Sequence, residues 1–129
     1  RKDLSFDAAL SETPHEDWSD DLLPLTIEGC MLHETVFVHP ASRSVISVDL
    51  AENFETADDL YTRTYLRIAG LHGRVGWSRL LRPMYRDKRA ARRSLDRLLE
   101  HDLDHAIIAH GSILTRDVKD ALRDTYHFL

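Results

Sequence analysis

Apolar and β-branched residues cluster in two stretches of the chain, separated by a short polar break. The stretches are LTIEGCMLHETVFVHP, residues 25–40, and SRSVISVDL, residues 42–50. Such runs are typical of β-strands, and Pro40 at the break has no N–H to donate to a sheet, so it suits a connection. We therefore predict a β-hairpin from about Thr26 to Leu50.

A third apolar run, HAIIAHG at residues 105–111, is too short for a helix and is bounded by charged residues and by glycine. It predicts a buried strand over about Ala106–Ala109, which we expect to join the sheet of the hairpin. Apolar residues also lie on both sides of the strand that contains Val36, Phe37 and Val38. A sheet of this kind is usually covered on both faces, so we expect helices to pack against each.

Three other segments show apolar residues at helical spacing, which predicts three helices. We expect these helices at about residues 57–70, 87–100 and 116–128. Thr56, followed three residues later by Asp59, predicts a capping box at the start of the first helix, and Thr115 predicts the N-cap of the third. Together these elements predict the α/β class, with a hairpin and a late strand covered by about three helices.

A chain of 129 residues is long enough for one domain with a core, but not for two. We therefore interpret residues 1–129 as a single domain, in which residues 1–24 form an irregular acidic arm because they are polar and lack a sustained period. The composition is 43% hydrophobic and 30% charged, and no apolar run approaches the roughly 20 residues that span a membrane. We expect a soluble protein.

Cysteine use and the start of the chain bear on its compartment. Cys30 is the only cysteine, which excludes an internal disulfide and a cysteine-cluster zinc site. We interpret it as a small buried hydrophobic residue, which suits a reducing compartment, and we expect a cytoplasmic protein. The chain begins RKDLSF, without an initiator Met or a secretory signal, and we interpret it as a processed chain or a fragment.

Charge is distributed unevenly along the chain, although the formal net charge is only -5. Nine carboxylates and no Lys or Arg lie between Asp3 and Glu34, whereas the segment from Arg79 to Arg97 contains eight basic residues. A basic helix can bind nucleic acid through phosphate contacts, but this one offers only Tyr85 as an aromatic residue for base stacking. We expect it to face solvent or the acidic residues, and we do not expect a nucleic-acid partner.

Asp49 and His110 are the candidate metal ligands. Each lies at the C-terminal end of an apolar strand, where the loops of α/β domains commonly form functional sites. A carboxylate and an imidazole are ligands that zinc, manganese and iron accept. The structural alternative is that Asp49 caps a turn and His110 faces solvent. The sequence contains no G-x-S-x-G elbow, glycine-rich phosphate loop or H-E-x-x-H motif.

Two segments resemble the second half of metallo-β-lactamase-fold proteins: ETVFVHPASRSVISVDLAENF, residues 34–54, and DLDHAIIAHGSIL, residues 102–114. The hairpin is most similar to that of small, largely uncharacterised lactamase-like proteins, and the resemblance covers most of the chain. It implies the C-terminal part of an αββα sandwich that binds Zn or another divalent metal such as Mn or Fe. In that superfamily the aspartate bridges two metal ions and the histidine supplies the last ligand; the matching residues are Asp49 and His110.

The resemblance implies the C-terminal part of a metal-dependent hydrolase, whose substrate the sequence does not specify. The superfamily's H-x-H-x-D-H motif has no counterpart in the chain, and two ligands cannot complete a zinc site, so we expect the chain to be inactive alone. We expect a homo-oligomer, or a missing N-terminal half that covers an apolar sheet face. The alternative is a noncatalytic binding or structural module of the same fold. If the resemblance holds, the Asp49 carboxylate and a ring nitrogen of His110 should lie within about 6 Å of each other.

Overall fold

The computed structural model describes residues 5–6 and 9–129 of the chain, in which five strands form one mixed sheet. The strands are β1 (Leu23–Thr26), β2 (Thr35–His39), β3 (Ser44–Asn53), β4 (Val75–Gly76) and β5 (His105–Gly111). The α-helices are α1 (Leu60–Ala69), α2 (Lys88–Glu100) and α3 (Val118–Thr125), and shorter 3-10 helices span Pro40–Ser42 and Arg79–Met84. The predicted α/β class is confirmed.

The predicted hairpin consists of β2 and β3. These strands pair antiparallel, with Phe37 opposite Ile46 and Val38 opposite Val45. The connection starts at Pro40 and ends at Arg43, which has a left-handed φ of 50° and donates its N–H back to the Pro40 carbonyl. The hairpin is therefore confirmed, and its turn begins where the proline predicted it.

The apolar stretch before the hairpin turn was predicted as one strand, and this is wrong. It divides into β1 and β2, which pair antiparallel, and residues 27–34 turn the chain between them. Gly29 permits the turn, because its φ is 73° and a side chain there would collide with the backbone of Asp87. Cys30 lies in this connection and is buried, as predicted.

The late strand, β5, runs parallel to β3, with Val45 opposite Ala106 and Ile46 opposite Ile107. The prediction that it joins the sheet of the hairpin is confirmed. The other strands follow the order β1-β2-β3-β4, and β4 pairs with the end of β3. β4 was not predicted, because a strand of two residues has no recognisable periodicity.

The first helix starts later than the sequence predicts. α1 begins at Leu60, and Asp59 is its N-cap, since the Asp59 carboxylate accepts a hydrogen bond from the Thr62 N–H at 2.7 Å. The predicted capping box that starts at Thr56 is therefore wrong. Gly70 ends the helix with a left-handed φ of 78°, a conformation that glycine adopts readily at helix ends.

The second helix matches its prediction, and Asp87 caps α2 by accepting a hydrogen bond from the Ala90 N–H at 3.0 Å. The third is shorter than predicted. Asp117 has a left-handed φ of 53°, so α3 cannot extend back to the predicted N-cap at Thr115. The helices found in residues 5–6 and 9–129 lack the combination of length and apolar character that crossing a membrane requires.

One face of the sheet, which we call the covered face, is buried in the main core. Its side chains come from β2, β3 and β5: Val36, Val38, Val45, Ala106 and Ile108. They belong to one cluster with residues in or just after α2 and α3: Leu95, Leu98, Leu122 and Tyr126. Packing against these helices therefore fixes the register of the sheet, because a shift of one residue would expose the whole row.

The opposite face, which we call the open face, is apolar but lacks comparable cover. Successive strand residues alternate between faces, so this face carries Phe37, Ile46, Val48, Ile107 and Ala109. Val48 is 55% exposed and Ile107 40%. Helices were predicted on both faces; the described residues leave Val48 and Ile107 on the open face exposed, so helical cover of both faces is not confirmed. Substantial burial on both faces would require additional protein surface against the open face.

The predicted irregular arm, residues 1–24, lies partly outside the described residues, and β1 begins within its predicted span. The part from residue 9 onward packs against the rest of the domain. Glu12 accepts hydrogen bonds from both terminal nitrogens of Arg97, at 3.1 and 3.0 Å, and from the Thr26 N–H at 2.8 Å. The ring of Trp18 meets Phe37 edge-on, with 5.8 Å between centroids. The acidic arm and the basic helix therefore meet at the ion pair between Glu12 and Arg97.

Candidate functional site

Asp49 on β3 and His110 on β5 are in direct contact. The His110 Nε2 lies 2.9 Å from Asp49 Oδ1, and the two side chains are 45% and 38% exposed, respectively. Parallel pairing of the two strands brings the residues together. His110 lies near the end of β5 as predicted, but Asp49 lies inside β3, which continues to Asn53, so its predicted place at the C-terminal end of the strand is wrong. The predicted proximity of these groups is confirmed; His110 is partly exposed, as the structural alternative expected, but it also contacts Asp49, which that alternative did not. Their predicted role as metal ligands stays a prediction.

The pair lines a cleft of about 240 Å³ that is open to solvent. The other lining residues are one carboxylate and four apolar or aromatic side chains: Glu52, Leu32, Tyr65, Trp77 and Leu81. Small-molecule sites commonly combine apolar walls with a few polar groups. The composition of this cleft fits that pattern, with Asp49, Glu52 and His110 as its polar groups.

The strand β3 departs from regular pairing where it carries Asp49. Ser47 pairs with Ile108 and Glu52 pairs with His110, so the four residues 48–51 of β3 oppose a single residue of β5. We call residues 48–51 the bulge. Such an irregularity removes ladder hydrogen bonds and redirects side chains, and it is common next to active sites.

Side chains from two other elements satisfy the backbone of the bulge. Glu34 is the residue just before β2. Its Oε1 accepts hydrogen bonds from the N–H groups of Val48 at 2.6 Å and Asp49 at 3.0 Å. The hydroxyl of Tyr126, which follows α3, donates to the Leu50 carbonyl at 2.6 Å. The backbone around Asp49 is therefore held by contacts distant in sequence rather than by the sheet.

Burial affects the charge of two carboxyls beside the pair. It raises the pKa of Glu34 above its ordinary value, although the two bulge N–H groups oppose the shift. It also raises the pKa of Glu52, although a hydrogen bond from the Ser78 backbone acts to lower that pKa. The charge of Asp49 adds to both shifts and that of His110 opposes them. These effects show that the four groups interact electrostatically.

The chemistry of the Asp49 and His110 donors fits a divalent metal, but only in part. A carboxylate oxygen and an imidazole nitrogen are suitable first ligands for zinc, manganese or iron. Across residues 5–6 and 9–129, no group of three or more His, Cys, Asp or Glu side chains is arranged so that it could hold a metal. The described part of the chain therefore offers two suitable donor groups, fewer than a zinc site uses.

The sequence did not identify Glu34 or Glu52 as members of this site. Glu52 had a local signal, because it lies at the end of the same strand as Asp49 and pairs with His110 in the parallel register. Glu34 had none, because it reaches the bulge only through the folding of β2 against β3. A site residue that acts on backbone groups distant in sequence has no spacing motif.

Comparison with known proteins gives no match: neither a scan against protein-family models nor a search of the curated proteins identifies a relative of this chain. The functional assignment therefore depends on the geometry of Asp49, His110 and their surroundings.

Proposed function

We propose that this chain is the C-terminal part of a metallo-β-lactamase-like, metal-dependent hydrolase. The observation that supports this most strongly is the 2.9 Å contact between Asp49 on β3 and His110 on β5, the neighbouring parallel strand. The resemblance of the two segments at residues 34–54 and 102–114 assigns ligand roles to the same two residues. The resemblance rests on the sequence and the contact on the structure, so the two arguments support each other.

In this proposal the Asp49 carboxylate and the His110 Nε2 would hold the metal at the rim of the cleft. Both groups are partly exposed, so the metal can reach them without unfolding of the site. When bound, a divalent metal acts as a Lewis acid that activates water at neutral pH. The apolar walls formed by Leu32, Tyr65 and Leu81 would contact the substrate and restrict access of bulk water.

The proposed site needs ligands from outside the described residues, and so the chain alone is proposed to be inactive. A tetrahedral zinc site uses at least three protein ligands even when it is catalytic. We propose that a second copy of the chain, or a preceding segment of a longer protein, completes the site and covers the open face. The exposed Val48 and Ile107 side chains support this part of the proposal.

A noncatalytic binding or structural module is the second candidate. It is favoured by the absence of a three-ligand group from the described ranges, together with the apolar open face. In that case the Asp49–His110 contact would be a partly exposed ion pair, which contributes little to stability.

Metal content of the full-length gene product distinguishes the two candidates. We expect the purified wild-type protein, equilibrated with zinc and then dialysed, to retain metal, and the variants Asp49→Asn and His110→Ala to lose it. His105→Ala, at the other end of β5, is the matched control and should retain wild-type metal content. Unchanged metal content in both site variants would contradict the metal-site assignment, and a wild-type protein without affinity for zinc would favour the noncatalytic module.

A further inference from the structure

Glu34 contacts the backbone of Asp49 rather than its side chain, and so it lies one step away from the proposed ligands. A single oxygen, Glu34 Oε1, accepts hydrogen bonds from two consecutive N–H groups, those of Val48 at 2.6 Å and Asp49 at 3.0 Å. The conformation of the first two residues of the bulge thus depends on this carboxyl group.

The backbone of the bulge needs such a partner because it does not pair regularly with β5. Four residues of β3 oppose one residue of β5 here, so regular ladder bonds cannot satisfy every backbone group in the bulge. Leu50, next along the chain, is buried, and the Tyr126 hydroxyl satisfies its carbonyl. Asp49 therefore lies between one backbone segment fixed by Glu34 and another fixed by Tyr126.

Glu34 is itself held in place by the connection between β1 and β2. The Glu34 carbonyl accepts a hydrogen bond from the Ile27 N–H at 2.8 Å, which closes the connection. His33, just before it, has a left-handed φ of 49° and donates its N–H to Cys30 at 3.2 Å. The Met31 N–H donates to the Met84 carbonyl at 3.0 Å, which fixes the connection against the rest of the domain. Glu34 is therefore mounted on backbone that is restrained at several points.

We propose that Glu34 is a positioning residue, whose carboxyl oxygen holds the N–H groups of Val48 and Asp49 so that the Asp49 side chain faces His110. This role deepens the proposed metal site and, as far as the metal is concerned, rests on it. The effect of Glu34 on the bulge itself does not require a metal. Groups that orient a ligand commonly change metal affinity by about 10- to 100-fold when they are removed.

Three substitutions separate position from charge. Glu34→Ala removes the acceptor oxygen, Glu34→Gln keeps an acceptor oxygen without the charge, and Glu34→Asp keeps the charge but withdraws the oxygen by one methylene. Glu28→Ala, an exposed carboxylate in the same connection, is the control. Two readouts are used, both on the full-length gene product: NMR hydrogen exchange of the Val48 and Asp49 amides without metal, and zinc affinity from titration of the His110 ring resonances.

Glu34→Ala and Glu34→Asp should accelerate exchange of both amides and weaken zinc binding by about tenfold or more. Glu34→Gln and Glu28→Ala should stay within about threefold of wild type in both readouts. Should Glu34→Ala fail to fold, Glu34→Asp gives the decisive comparison with Glu34→Gln. Wild-type exchange in Glu34→Asp would overturn the proposal, as would a loss of zinc affinity in Glu34→Gln equal to that in Glu34→Asp.

The failure of the proposed function is distinguishable from the failure of this inference. If the wild-type protein does not bind zinc, or if Asp49→Asn binds it as tightly as wild type, the metal site is wrong. The amide exchange rates then still decide whether Glu34 holds the bulge. If Asp49→Asn loses zinc and all Glu34 variants keep it, the metal site stands and the positioning role is overturned.

Discussion

The covered and open faces of the sheet are both apolar, but the described residues pack the covered face far more fully than the open one. Ile108 and Ile107 are neighbours on β5, yet Ile108 is 7% exposed and Ile107 is 40% exposed. On β3, Val45 is 0% exposed and Val48 is 55% exposed. Ile107 and Ile108 are consecutive and point to opposite faces, and Val45 and Val48 differ in burial in the same way, so each comparison keeps the residue type constant.

This difference shows that the apolar pattern of a strand predicts burial, but does not identify what provides it. The helices α2 and α3 contribute core residues that bury the covered face. On the open face, Trp18 contacts Phe37 but leaves Val48 and Ile107 exposed. Contiguous exposed apolar surface commonly marks an interaction site. The open face is therefore where we place the partner in our proposal.

The largest expected effect concerns the two isoleucines. Ile108→Ala should lower the free energy of unfolding by about 2–5 kcal/mol, because it leaves a cavity in the core. In protein dilute enough to remain monomeric, Ile107→Ala should lower it by less than about 0.5 kcal/mol, as expected for a surface position. Urea denaturation followed by circular dichroism measures both. Equal losses would mean that the open face is as well packed in solution as the covered one.

The second prediction concerns self-association through the open face. We expect light scattering to show a wild-type mass that rises with protein concentration, and Ile107→Lys to remain monomeric, because a charge would have to be buried in the contact. Leu60→Lys, at an apolar position that is 74% exposed on α1, is the control and should associate as wild type does. A wild-type chain that stays strictly monomeric at high concentration, with no bound companion, would contradict this use of the face.

A smaller effect should appear in the pH dependence of stability. Burial raises the pKa of Glu34 in the folded state, so its contribution to stability is present below its unfolded pKa and is lost as pH rises through the folded pKa. Glu34→Gln cannot titrate, and its stability relative to wild type should therefore increase from about pH 4 to about pH 7.

Glu12 provides a control of opposite sign for that measurement. Its hydrogen bond from Arg97 lowers its pKa, so its contribution is present above the unfolded pKa and is lost as pH falls. Glu12→Gln should therefore lose stability relative to wild type as pH rises. The same direction of change in both variants would contradict the assigned pKa shifts.

The elements that the sequence predicted best are those with long or repeated patterns. The helix α2 and the hairpin carry enough periodic apolar residues to define them, and Pro40 marks the turn. The contact between Asp49 and His110 was expected from the resemblance of residues 34–54 and 102–114 to metallo-β-lactamase-fold proteins, because the strand pattern alone singled out the two residues without fixing their distance. Short elements such as β1 and β4 were missed because four and two residues carry little periodicity.

The bulge could not have been predicted from local sequence. Glu34 and Asp49 are 15 residues apart, and Tyr126 and Leu50 are 76 apart, so the contacts that shape the bulge exist only after the sheet has formed. The predicted start of α3 was wrong for a related reason. Asp117 adopts a left-handed conformation that no spacing rule indicates, and it stops the helix short of Thr115.

The central claim, that Asp49 and His110 share one metal, is tested most directly by anomalous diffraction from zinc-soaked crystals of the full-length gene product. We predict an anomalous peak at the zinc absorption edge, about 2.0–2.2 Å from both an Asp49 carboxylate oxygen and the His110 Nε2. The hydrogen bond of 2.9 Å between these groups should be replaced by the two metal contacts. Zinc peaks elsewhere on the molecule, with the Asp49–His110 hydrogen bond intact and no density between the two groups, would contradict the claim.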